Sequence, residues 1–283
     1  MEKWNLIVDV ERCENCNNCV LSAKDEYVGN EHPGYSAPVA EESAELITIT
    51  RKVRGSTPLV DASYLVSMCA HCDNAPCMKT GGDAVRKRDD GIMIIDPEKA
   101  RGRRDIADSC PYNAIVWNEE QQLPQIWIFD AHLLDQGWSK PRCVQSCPTD
   151  VFEAVKISDA EMQRRVEAEQ LDVLKPELDT RPRVYYRNLY RFNRCFIGGT
   201  VVAEIDGIEE CVADATVTLS RNGETLLSTH TDAFGEFKLD RIDADSGTYT
   251  VHIEHSDFAA LELETEVGES VYLGARTLQS KPH

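Results

Sequence analysis

With 283 residues, the chain is long enough for about two domains, each with its own core. Its 49 acidic residues outweigh 30 Lys and Arg, a net charge of −19, which argues against nucleic-acid backbones and anionic lipid as partners. At 42% apolar and 28% charged residues it is too hydrophobic for a disordered chain, and no apolar run approaches the ~18 to 20 residues that cross a bilayer, so no direct membrane contact is expected.

The chain opens directly into a strand pattern at residues 6–10, with no basic leader, so an export signal is not expected and the predicted location is cytoplasmic. Eleven cysteines, an odd number and tightly clustered, point to thiolate ligands in a reducing compartment. Residues 1–157 read as short strands, such as 6–10 and 92–95, and turns threaded between cysteine runs. Regular secondary structure is sparse there. Residues 158–171 carry a helix signal, with Ser158 as N-cap and Glu161 three positions on. The rest of 158–195 is a linker whose aromatic and arginine-rich stretch, 183–192, either packs on its own domain or lies as a strap on a partner. From 196 to 283 the pattern changes to period-two runs at 200–203, 215–220, 225–231, 235–239, 248–254 and 261–266. Asn222-Gly223, Phe234-Gly235 and Ser246-Gly247 break them, as in a small β-sandwich. Five Lys and Arg against 17 Asp and Glu make this tail an acidic, solvated module.

Bacterial ferredoxins use the run Cys-x2-Cys-x2-Cys-x3-Cys-Pro, in which three thiolates hold one iron–sulfur cluster and the fourth crosses to its pair mate. Cys13, Cys16 and Cys19 have that spacing, but Ala23 stands at the crossing position. The matching ending is Cys143-Val-Gln-Ser-Cys147-Pro148, so Cys147 completes the first set. Cys69, Cys72 and Cys77 form a second triplet with a small insertion, Gly81 stands at its crossing position, and Cys110-Pro111 supplies the ending, with Ile106 four residues upstream. The fold expected is therefore α+β: a ferredoxin-like double module, each half built for two 4Fe-4S clusters and keeping one, followed by an all-β sandwich. The cofactor- and metal-binding residues are Cys13, Cys16, Cys19, Cys147, Cys69, Cys72, Cys77 and Cys110.

Zinc is disfavoured, because it normally takes two separated Cys-x2-Cys pairs and here three thiolates fall within seven residues. Structural disulfides are disfavoured by the adjacent pairs. Cys143, Cys195 and Cys211 read as ordinary buried thiols. His71 and His132 are expected to make hydrogen bonds, since complete thiolate sets exist without them. No phosphate-cradling glycine loop, dinucleotide fingerprint or Ser/His/Asp arrangement is present, so no catalytic residue is expected in this chain. Fully ligated clusters transfer electrons.

The four-run arrangement resembles the iron–sulfur subunits of molybdopterin oxidoreductases of the dimethyl-sulfoxide-reductase type. The likeness is closer still to the small subunits of pyrogallol-phloroglucinol transhydroxylases. It is carried by Asn17-Asn18 between the first cysteines, Cys69-Ala-His-Cys72-Asp-Asn-Ala-Pro-Cys77, Asp90-Gly-Ile92, Ile95-Asp-Pro-Glu-Lys-Ala100, Cys110-Pro-Tyr112, Ala131-His-Leu-Leu-Asp135, Lys175-Pro-Glu-Leu178, Pro182-Arg-Val-Tyr-Tyr186, Asn188-Leu-Tyr-Arg-Phe192 and Thr231-Asp-Ala-Phe-Gly-Glu-Phe-Lys238. The resemblance implies a transthyretin-like or carboxypeptidase-regulatory-like tail domain. It also implies a heterodimer whose large subunit carries molybdenum with two pyranopterin guanine dinucleotides (bis-MGD) and acts on phenolic rings by hydroxyl transfer, hydroxylation or dehydroxylation. The two cysteine quartets match two clusters of that family. A third cluster there uses positions occupied here by Ala23, Trp127, Asp130 and Cys143, so only one of its four ligands remains, and Trp127 is expected to fill part of the vacated volume. The alternatives are a non-redox assembly subunit with structural metal sites, or an electron-transfer subunit of a different molybdopterin reductase.

Overall fold

Strand Glu2–Asp9 is the centre of a three-stranded sheet, paired antiparallel with Phe152–Ser158 and parallel with Val184–Arg187. Its Leu6, Ile7 and Val8 are fully buried, as the unbroken apolar run of a strand flanked on both sides requires. Each contributes about 1.5–3 kcal/mol by leaving water. Helix Asp159–Glu169 follows directly, and the Ser158 hydroxyl accepts from the Glu161 N–H at 3.2 Å, the cap expected from the sequence. Its Met162 packs with Ile7 and Leu171. The aromatic stretch after Pro182 supplies the parallel edge strand, with Val184 and Tyr186 buried in the same unit. Sequence periodicity missed this strand because it is only four residues long.

The computed structural model describes residues 1–42 and 45–281, so the last two residues of the expected tail lie outside the described residues. The chain divides into two units, Met1–Arg51 with Ser63–Leu189, and Lys52–Ala62 with Tyr190–His283. Within the first, the cysteine runs meet in pairs. Helix Asn18–Tyr27 lies against helix Arg142–Ser146, where Asn18 Nδ2 donates to the Ser146 carbonyl at 3.3 Å and Ser146 Oγ bonds Ser22 Oγ at 3.1 Å. Helix Pro76–Gly81 lies against helix Arg104–Asp108, with Gly81 against Ile106. Short antiparallel pairs, Val85–Lys87 with Met93–Ile95 and Val116–Asn118 with Leu123–Gln125, follow the second and third runs.

The second unit has two four-stranded sheets around one core. Strand Cys195–Ile205 pairs with Ile208–Cys211, Glu236–Ile242 and Val271–Leu278, and the other sheet runs Glu224–His230, Thr216–Arg221, Gly247–Glu254, Leu261–Val267. Inward residues of both, among them Val201, Val217, Phe237 and Val251, share one apolar cluster. Asn222 and Gly223 both take positive φ, 52° and 81°, which gives the tight reversal that their dipeptide signals. Residues Lys52–Ala62, a hairpin tip formed by strands Ile47–Ser56 and Leu59–Met68, belong to this unit. There the buried Arg54 guanidinium donates to Asp61 at 2.6 Å and to Asp240 at 2.7 Å. Burial pushes the Asp61 carboxyl up, but hydrogen bonds from Arg191, Arg54 and Lys238 outweigh it and hold the pKa at about 2.

Candidate metal centres

The loop carrying the first triplet turns twice through the left-handed region, at Asn15 (φ 57°) and Asn17 (φ 61°), where asparagine is better tolerated than most residues. Those reversals bring Cys13, Cys16 and Cys19 to one side, and Cys147 reaches them from the end of helix Arg142–Ser146. Burial pushes the Cys19 thiol up to about 12, and the neighbouring sulfurs of Cys13, Cys147 and Cys16 add to it. Cys13 is raised in the same way by burial, with Cys147 and Cys16 among the groups acting on it. Cys16 is exposed. The Val151 N–H donates to Cys147 Sγ at 3.4 Å, a bond suited to a thiolate.

The second group assembles likewise. Burial pushes Cys77 up to about 11, aided by the sulfurs of Cys110 and Cys72. Cys69 is raised far above the usual thiol range by burial, then by Cys77, Cys72 and Cys110. Burial also raises Cys72, while the Thr180 hydroxyl works the other way. Thr180 Oγ1 is itself 2.5 Å from the Tyr112 hydroxyl, a pair with no sequence signal to mark it. Thiols held as Cys69, Cys72 and Cys77 are, raised by burial and by neighbouring sulfurs, are poorly placed to ionise together without a cation, and a metal group that takes thiolates supplies one.

The spacing distinguishes between metal groups. A tetrahedral zinc with bonds of about 2.3 Å brings its sulfurs to about 3.8 Å of one another. Among the described residues, the only Cys, His, Asp or Glu group with ligand atoms all within 4.8 Å is Glu26, His32 and His132, so neither quartet is drawn in that tightly. A cubane binds each thiolate at a different iron and so takes a wider frame than zinc.

Ala23, Trp127, Asp130 and Cys143 are all buried. Both oxygens of Asp130 are engaged: Oδ1 accepts from the Tyr27 hydroxyl at 2.5 Å and Trp127 Nε1 at 3.2 Å, and Oδ2 accepts from the Arg142 N–H at 2.7 Å. The Trp127 ring packs 4.9 Å from Phe129. Burial raises the Asp130 carboxyl despite those donors, and raises the Cys143 thiol far above its usual range. At Gly81 a Cβ would stand 2.3 Å from Val85 Cγ2 and 3.3 Å from Ile106 Cδ1.

His71 and His132 make hydrogen bonds, both from buried positions. The Met93 N–H donates to His71 Nδ1 at 3.0 Å, and burial lowers the His71 pKa to about 3. His132 Nε2 lies 2.7 Å from Glu26 Oε1, and its ring stacks on His32 at 3.9 Å. Stacked rings aim their in-plane lone pairs side by side, and Arg142 already holds Glu26 Oε2 at 2.5 Å, so that group resembles an ion-pair cluster more than a metal site. Cys195 is buried in the second unit's core. Cys211 departs from the expected buried thiol: it ends the edge strand Ile208–Cys211, every residue of which is exposed.

A family model described as a 4Fe-4S dicluster domain matches residues 60–157. The chain is 42% identical over 257 residues to the pyrogallol hydroxytransferase small subunit of Pelobacter acidigallici, covering 90% of this chain and 91% of that protein. It is 29% identical over 210 residues to a putative dimethyl sulfoxide reductase iron-sulfur subunit of Halobacterium salinarum, covering 66% and 80%. A similar 29% over 195 residues relates it to a tetrathionate reductase subunit of Salmonella typhimurium, covering 66% and 73%.

Proposed function

Because the chain belongs to the family of the pyrogallol hydroxytransferase small subunit, we propose that it is the iron–sulfur electron-transfer subunit of a molybdopterin oxidoreductase acting on phenolic rings. Cys13, Cys16, Cys19 and Cys147 hold one 4Fe-4S cluster, and Cys69, Cys72, Cys77 and Cys110 hold the other. The large partner carries molybdenum bis-MGD and does the ring chemistry, whether hydroxyl transfer, hydroxylation or dehydroxylation. No residue of this chain is catalytic. The second unit is a transthyretin-like sandwich that serves assembly, and the complex works in the reducing cytoplasm.

The observation that carries this reading is the grouping of eight thiols into two quartets, each joining a triplet to one distant Cys-Pro. Bound there, a 4Fe-4S cluster supplies one-electron storage and relay. The chain's own contribution is to fix the thiolates, keep water from the buried ones and donate hydrogen bonds to sulfur, as the Val151 N–H does to Cys147. No helix among the described residues is long and apolar enough to cross a membrane.

Anaerobic purification from its source should bring down a molybdopterin protein with the chain. Paramagnetic resonance after dithionite should show reduced 4Fe-4S signals, with about eight irons per chain. A preparation with no reducible iron would leave only the structural role for these thiols.

A further inference from the structure

The second quartet has a half-buried cation beside it. Lys87, on strand Val85–Lys87, places its ammonium under the loop that carries Cys72. Its Nζ donates to the carbonyls of His71 and Cys72 at 2.8 Å each and to the Asp73 carboxylate. Three donors meet three acceptors, so the charged form is fully satisfied where it stands, with little water about it. Asp73 does not cancel this charge, because the Arg183 guanidinium also takes both its oxygens, at 2.9 and 2.5 Å, with Lys3 3.9 Å away. Arg183 in turn bonds Asp159 at 2.9 Å. The ammonium thus lies against the backbone of the ligand loop itself, at the carbonyl of Cys72.

Resting on the functional reading above, we propose that Lys87 is a positioning residue for electrons: it raises the reduction potential of the cluster at Cys69, Cys72, Cys77 and Cys110. An added electron makes a cluster more negative, and a fixed ammonium in a poorly solvated loop stabilises that state more than the oxidised one.

The test is a redox titration of the full chain in its native complex, followed by paramagnetic resonance, for the unsubstituted protein, Lys87→Gln, Lys87→Arg and Asp73→Asn. In Lys87→Gln one of the two midpoints should fall so that the reduced-to-oxidised ratio at a fixed potential drops about tenfold, which is 59 mV for one electron, while the other midpoint stays. Lys87→Arg should keep the original value, and Asp73→Asn should move the same midpoint upward. Two unmoved midpoints in Lys87→Gln with its iron intact, or an equal shift of both, overturns the proposal. Should Lys87→Gln lose iron, two unmoved midpoints in Asp73→Asn overturn it equally. Failure of the functional reading is a different result: no reducible iron in the unsubstituted protein.

Discussion

At two places the ferredoxin spacing calls for a crossing cysteine and the chain offers something else, and the two have been closed with different chemistry. Behind Gly81, Val85 and the fully buried Ile106 occupy the space with methyl groups. One helical turn beyond Ala23, the phenol of Tyr27 meets a buried polar group, the carboxylate of Asp130 with the indole of Trp127 and the thiol of Cys143 beside it. Aliphatic filling needs only shape, since an interior tolerates little void. Polar filling must also satisfy every donor and acceptor it buries. Asp130 meets that demand with three donors, from Tyr27, Trp127 and the Arg142 backbone. The comparison shows that a residue at a ligand position is a poor guide to ligation until its lone pairs are accounted for. Asp130 stands where a cluster ligand of the family would be, yet its oxygens are already committed.

If the quartets bind iron and the two closed places do not, the largest effects fall on the quartets. Cys110→Ala or Cys147→Ala should cut iron from about eight to about four per chain and lower the melting temperature, because each cysteine ties together distant segments. Unchanged iron and melting in either variant would break the ligand assignment. Ala23→Cys, by contrast, should leave iron near eight, since the volume ahead of it is occupied. A rise towards twelve would show that the polar site still accepts a cluster. Next in size is Asp130→Ala, which strips the partner from three buried donors and should cost about 3–5 kcal/mol in denaturant unfolding with iron retained. A cost under 1 kcal/mol would mean that water replaces the carboxylate and that the site is not closed.

How much of this was legible in the sequence depended on whether the signal was local. The Ser158 cap, the Asn222-Gly223 turn and the period-two runs of the tail are fixed by neighbours a few positions away, and all have counterparts in the structure. Ala23 and Gly81 announced themselves by their place in a known run, but what fills the space behind them did not. Trp127 was readable as filler by size; the Tyr27 hydroxyl on Asp130 comes from 103 positions away. The hairpin Ile47–Ser56 with Leu59–Met68 went unread because its first strand is mostly polar and exposed, and what it holds is the Arg54 ion-pair cluster. Lys87 likewise carried no mark: it is one lysine on a three-residue strand, and its meaning lies in the carbonyls it meets.

The aliphatic side of the comparison should give smaller effects. Ile106→Ala leaves a cavity and should cost about 2–4 kcal/mol. Gly81→Cys drives a side chain into Val85 and should cost about 1–3 kcal/mol without adding iron. Either variant at no cost would show that this half is loosely packed and the contrast overstated.

The smallest expected effect is a dependence on pH, present at the polar site and absent at the aliphatic one. Burial holds the folded Asp130 carboxyl above its ordinary 3.8. Between that value and its folded value, the folded chain keeps a proton that the unfolded chain releases, so this group's contribution to stability is greatest at low pH and is lost as pH rises through the window. Asp130→Asn has nothing to titrate there. The unfolding free energy of the unsubstituted protein minus that of Asp130→Asn should therefore decline from about pH 4 upward, by at most about 1.4 kcal/mol per pH unit, and level off once the folded carboxyl has ionised. The corresponding difference for Ile106→Ala should stay flat, because methyl groups bind no protons. Anaerobic urea unfolding at half-unit steps from pH 4 to 7, read by tryptophan fluorescence, measures both. A flat difference for Asp130→Asn would mean that its three donors overcome burial and keep the carboxylate ionised. In that case the polar site holds a permanent anion, and the two closures differ in charge rather than in proton uptake.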